Sequence, residues 1–189
     1  AAGNAIKEIK EFPQIIAGEN KDAIKKVCSL FETITKKTIV ASFLEAELMK
    51  LFTNSWRYTQ FATANQFYKI AQNSGTDFYK IRRLMIEEYP RANNLPNAGF
   101  TAGPCLLKDT MLLSSFAKDN DLLGHSSMLI NESLPNFLVE QLKKRIKLSD
   151  KKVGLLGMAF KAECDDYRDS LSFKLKIWQL SSNSVIIVC

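Results

Sequence analysis

Apolar and polar positions change period several times along the chain, and each change marks an element. Residues 4–12 are charged and amphipathic, and Pro13 to Gly18 is a short, strand-like apolar run. Over 21–34, Ala23, Ile24, Val27, Leu30, Phe31 and Ile34 fall on one face at helical spacing. Thr38, Ile39 and Val40, within 37–41, predict another strand, so the N-terminal stretch reads as α/β. Ser42-Phe-Leu-Glu45 then has the S-x-x-E spacing of a capping box. No Gly or Pro follows until Gly75, which sits where a helix C-terminal glycine belongs. The pattern predicts a helix over 43–73, on the order of 45 Å long. Leu48, Leu51, Phe52, Phe61, Phe67 and Ile70, with Trp56 and Tyr58 on flanking faces, make it apolar on more than one side. Such a helix spans a core or packs on a partner subunit.

Shorter helices are predicted over 76–88, 109–118 and 121–147. Pro90 to Pro104 is the one Gly/Pro-rich stretch of any length, an irregular loop of the kind where functional residues concentrate. Lys151 to Met158 reads as a strand, Ser172 to Leu180 as a helix and Val185 to Cys189 as a strand, a βαβ unit with a parallel pair. The chain opens at Ala1-Ala2-Gly3 without methionine and closes on a core-type strand, so the expectation is a piece of a longer protein.

Composition narrows the class. The chain has 189 residues, 46% of them apolar and 24% charged, which is globular rather than disordered. No stretch approaches a membrane span and no secretory signal opens the sequence, so a cytoplasmic protein is expected. The four cysteines, at 28, 105, 164 and 189, lack metal-ligand or disulfide-framework spacing, and no metal site is expected. Lys and Arg outnumber Asp and Glu by 26 to 20, a balance that suits anionic ligands. The basic cluster around Lys143-Lys144-Arg145 lacks neighbouring aromatics, which argues against a nucleic-acid groove.

Candidate chemistry is concentrated in two places. Lys50 and Asn54 lie four apart on the long helix and share a face. Gly99-Phe-Thr-Ala-Gly-Pro-Cys105-Leu-Leu-Lys108-Asp109 sets a cysteine after a tight turn and just before a helix. A helix N-terminus and a nearby lysine are what a cysteine nucleophile requires, although a buried structural cysteine fits the same residues. Asp109 reads as a base or orienting group, or as an acid favoured in a first helical turn. Gly154-Leu-Leu-Gly157 follows a strand without completing G-x-G-x-x-G. Cys28 reads as a packed thiol, and His125, the single histidine, as a surface or packing residue.

Four motifs in order resemble the UDP-glucose/GDP-mannose dehydrogenase family. They are Glu47-Leu-Met-Lys50-Leu-Phe-Thr-Asn54, Gly99 to Asp109-Thr110, Asn131-Glu132 with Pro135, and Gly157-Met-Ala-Phe-Lys161 followed by Asp165-Asp166-Tyr-Arg168-Asp-Ser170. Two departures stand out: Ala102 replaces the first of two adjacent glycines, and Gln66 follows Asn65 where the family carries Glu. The resemblance implies a mixed fold. A mainly α-helical central domain with a long core helix is flanked by α/β pieces of two Rossmann-like domains. Its implied boundaries are 1–42 for the end of an NAD-binding domain, 43–148 for a central dimerisation domain, and 149–189 for the start of a UDP-sugar-binding domain.

The resemblance also implies an activity: NAD-dependent oxidation of a UDP-sugar C6 alcohol to the carboxylate, through a cysteine thiohemiacetal and thioester. Cys105 would be the nucleophile, Lys50 and Asn54 would stabilise the oxyanion, and Asp109 would activate the hydrolytic water. Lys108 and Arg168 would face the cofactor. Gly103, Lys161 and Arg91 would face the substrate, with Arg91 reaching into a neighbouring subunit of a homodimer joined through the long helix. The Gly-rich cofactor loop lies upstream in that family, so no turnover is expected from these residues alone. The rival expectation is a non-catalytic dimerisation or binding module with a structural cysteine.

Overall fold

A computed structural model describes residues 5–118, 122–148, 152–160, 165–179 and 185–188. The fold is mainly helical with two small parallel two-stranded sheets, and the chain divides after Thr53 into two compact units. Among the described residues no helix is long and apolar enough to cross a membrane.

The first unit holds α1 (Ala5–Glu11), β1 (Gln14–Ile16), α2 (Lys21–Phe31), β2 (Thr38–Val40) and the start of α3 (Phe43–Asn73). β1 and β2 pair in parallel from Gln14↔Thr38 to Ile16↔Val40, with α2 as the crossover. The Asn20 side chain caps α2 by accepting from the Ala23 N–H at 2.9 Å. The buried Thr35 hydroxyl donates to the Phe12 carbonyl at 2.8 Å, fastening the loop before β2 to the loop before β1. The predicted apolar face of α2 is only partly covered: Val27, Leu30 and Ile34 are exposed.

Helix α3 has the predicted bounds, for the predicted reasons. The Ser42 N–H donates to the Glu45 carboxylate at 2.7 Å, and the Glu45 N–H donates to the Ser42 hydroxyl at 3.3 Å. This reciprocal bond holds the Glu45 carboxyl below its ordinary pKa. At the other end Gly75 takes φ +69°. The Thr76 N–H reaches the Ala71 carbonyl at 2.9 Å and the Gly75 N–H reaches the Gln72 carbonyl at 3.2 Å, a Schellman closure.

The second unit adds α4 (Phe78–Arg83), α5 (Leu106–Phe116), α6 (Leu122–Glu132), α7 (Leu134–Arg145), β3 (Lys152–Leu155), α8 (Ser172–Gln179) and β4 (Val185–Val188). The predicted helix over 76–88 is α4 followed by one π-helical turn, Leu84–Glu88. It ends at Tyr89, whose extended backbone is what a following proline imposes. The predicted helix over 121–147 is two helices, because Pro135 lacks the N–H a continuous helix needs and sits instead in the first turn of α7. β3 and β4 pair in parallel from Lys152↔Val185 to Leu155↔Val188, as the βαβ reading expected.

The core beneath the loop over 90–104 is built on α3. Ala64, Ala71 and Phe78 are buried, with Tyr68, Leu95 and Ala98 packed against them. The Tyr68 ring meets Phe78 and Phe137 edge-on, at 6.0 and 6.1 Å between centroids. Tyr58, expected on a flanking face, is fully buried, whereas Trp56 is 63% exposed.

Candidate active site

Cys105 stands at the N-cap of α5, and its side chain is exposed. Its carbonyl accepts the Asp109 N–H at 2.8 Å, the first turn of that helix. One turn on, Asp109 is buried at 3% exposure, and the Asn54 amide donates to its carboxylate at 2.5 Å. A buried carboxylate needs such a donor, since desolvating it unpaired is costly. The structure thus joins two residues 55 positions apart in sequence. Lys50 is exposed, one helical turn before Asn54 on α3. Lys108 is exposed in the first turn of α5.

The loop leading to Cys105 is fastened at both ends. Gly103 takes φ +104°, a backbone that favours glycine, and a Cβ there would lie 2.8–3.2 Å from three ring carbons of Phe160. The Phe160 N–H donates to the Asp166 carbonyl at 3.1 Å. Arg168 grips the Asp166 carboxylate from Nε at 2.9 and 3.1 Å and from Nη2 at 2.6 Å. These bonds draw the Asp166 carboxyl down to about 2. In return they raise Arg168, with a smaller contribution from the charge of Asp169. Lys161 lies outside the described residues. Arg91 is exposed, in the short 3₁₀ turn Pro90–Ala92, with its guanidinium 5.9 Å from the Tyr89 ring centre.

The other end of the loop uses residues that sequence reading did not single out as functional. Asn65 is fully buried in the middle of α3. Its Oδ1 accepts the Gly99 N–H at 2.8 Å and its Nδ2 donates to the Gly99 carbonyl at 3.0 Å. The same Nδ2 donates to Oδ1 of the buried Asn131 at 2.9 Å, and Asn131 donates onward to the Tyr58 carbonyl at 3.2 Å. Glu132, next to it, pairs with Lys174 of α8. The Asn131-Glu132 motif so ties α6 to α3 on one side and to α8 on the other. The sequence signals were the Asn131-Glu132 motif and the place of Asn65 where the family carries Asn-Glu, neither of which had a role attached to it. Among the described residues no group of three His, Cys, Asp or Glu side chains is placed to hold a metal ion.

An exposed thiol at a helix start thus lies one turn from a buried carboxylate that an amide of α3 holds. Residues 44–133 match the UDP-glucose/GDP-mannose dehydrogenase family, central domain, and the chain belongs to that family. It is 34% identical over 190 aligned residues to the UDP-N-acetyl-D-mannosamine dehydrogenase of Pyrococcus horikoshii, covering 97% of this chain and 44% of that protein. It is 30% identical over 174 residues to the enzyme of the same name from Methanocaldococcus jannaschii, covering 92% of this chain and 40% of that one. The solved structure of the Pyrococcus horikoshii UDP-D-ManNAc dehydrogenase superposes with a TM-score of 0.85 at 31% identity, over 98% of this chain and 46% of that one. The chain spans less than half the length of these relatives.

Proposed function

We propose that this chain carries the nucleophile-bearing part of an NAD-dependent UDP-sugar 6-dehydrogenase, with a UDP-N-acetylhexosamine of the mannosamine type as substrate. The observation that carries the reading is the Asn54–Asp109 bond one turn beneath Cys105, in a chain of this family. The names of the relatives favour the N-acetylated sugar over UDP-glucose.

In this reading the Cys105 sulfur adds to the C6 aldehyde left by the first oxidation, and the carbonyl oxygen takes up the negative charge. Asn54 and Lys50 donate to that oxygen from one face of α3, where such donors are typically worth about 10²–10³ in rate. The second oxidation leaves a thioester on Cys105. Asp109, oriented by Asn54, takes a proton from the water that cleaves it, returning the thiol and releasing the carboxylate. NAD, when bound, accepts the hydride of each oxidation. Lys108 and Arg168, both exposed cations, would hold its phosphates, with Asp166 orienting the guanidinium. Gly103, Lys161 and Arg91 serve the UDP-sugar, and α3 joins two copies in a homodimer. The 189 residues contain no G-x-G-x-x-G cofactor loop, so turnover requires the rest of such an enzyme.

The test uses the full protein as its gene encodes it, with NAD and either UDP-N-acetylmannosamine or UDP-glucose. The reading expects two NADH per sugar oxidised, faster with the N-acetylated substrate. Cys105→Ser abolishes four-electron oxidation while UDP-sugar binding persists. Full oxidation retained in that variant removes Cys105 from the mechanism.

A further inference from the structure

We propose that Asn65, backed by Asn131, is a positioning residue for the Cys105 loop: a buried amide clamp that fixes the loop through the backbone of Gly99. The inference rests on the functional reading above for the role of Cys105, but its geometry stands apart from it. A polar pair serving only to join α3 to α6 would need the single Asn65–Asn131 bond. Asn65 does more, matching both backbone groups of one loop residue, its N–H at 2.8 Å and its carbonyl at 3.0 Å.

Direction is built into this chain of bonds. The Gly99 N–H must meet an oxygen and the Gly99 carbonyl must meet an N–H, so the Asn65 amide has one admissible orientation. That orientation spends the Nδ2 hydrogens on Gly99 and on Asn131, and obliges Asn131 to turn its own Nδ2 toward Tyr58. Aspartate, with the same shape, supplies no donor when ionised and sets an oxygen against two acceptors.

Packing does not substitute for these bonds. Nothing lies within 4 Å of the place a Gly99 side chain would occupy. Gly99 and Phe100 also border a cavity of about 260 Å³ lined by Tyr68, Tyr79, Leu134 and Leu138. The loop is thus seated at Gly103 by Phe160 and at Gly99 by hydrogen bonds, with Cys105 directly beyond the Gly103 seat.

The experiment compares the parent, Asn65→Asp and Asn131→Ala in the full protein, each checked for its helical spectrum and a cooperative thermal transition. Iodoacetamide labelling is read peptide by peptide, with Cys28 on α2 as the internal reference. A clamp predicts that the Cys105 to Cys28 labelling ratio in Asn65→Asp rises about threefold or more, because a loosened loop opens more often. It also predicts that kcat falls about 10- to 100-fold with KM for the UDP-sugar little changed, the thiol being more accessible yet misplaced. General destabilisation would raise both cysteines together. Folded Asn65→Asp with ratio and kcat like the parent overturns the clamp. Should that variant not fold, Asn131→Ala, which removes only the backing bonds, must move the ratio in the same direction or the proposal fails. A parent that makes no NADH from any UDP-sugar defeats the functional reading, and the clamp is then judged on the labelling ratio alone.

Discussion

The Asp166 carboxylate is exposed to Arg168 through three side-chain hydrogen bonds and accepts the Arg168 backbone N–H as well, at 3.0 Å. Its depressed pKa fixes the sign of a pH effect. A carboxyl lowered by its partner contributes to the folded state above the ordinary carboxylate range, and that contribution disappears as pH falls through about 2. The side-chain carbon of Asp166, followed by NMR, should titrate near that value. In Arg168→Gln the midpoint should return to the ordinary range; an unchanged midpoint would mean the guanidinium is not what holds the carboxyl. At this scale sequence picked out candidate residues better than the groups that support them. Cys105, Asn54 and Asp109 were legible as candidates because their motifs resemble those of the family. Asn65 and Asn131 were not, because an asparagine facing water and one buried at full hydrogen-bonding capacity look alike until its partners are known.

At the scale of elements, both ends of α3 were readable because each is fixed by side-chain and backbone chemistry local in sequence. Gly75 offers a clean test. No atom lies within 4 Å of its missing side chain, so Gly75→Ala meets only the cost of a left-handed backbone, about 1 kcal/mol. Urea unfolding should show a loss of that size with an unchanged slope, and a neutral or stabilising result would contradict the Schellman closure. The division between α6 and α7 was signalled by Pro135 yet passed over, since a helical apolar period runs through both. The π turn at Leu84–Glu88 had no comparable local signal beyond the proline that ends it. The α2 face was read correctly as apolar, but periodicity reports which side is apolar and not how much of it the chain covers. Val27 and Leu30 are accordingly exposed.

For the whole molecule, the exposed apolar surface of α3 bears on whether two copies pair. Trp56, Phe67 and Ile70 are 63%, 42% and 52% exposed, and their spacings of eleven and three residues place them along one stripe of the helix. Long helices that keep such a stripe in solution usually have a partner, because monomers seldom leave a contiguous apolar patch uncovered. Two copies related by a twofold axis would lay stripe against stripe, each residue meeting the same surface it presents. Phe67, more exposed than the half-buried Phe61, is the position to change. Light scattering on the full protein should report a dimer at tens of micromolar, about the range of ordinary assays. Phe67→Glu should shift it to monomer while the helical signal and thermal transition persist, since the side chain contributes little to the core of its own chain. A parent that scatters as a monomer at that concentration argues against the α3 dimer. So does a Phe67→Glu variant that stays dimeric, which would move the interface to another face of the molecule.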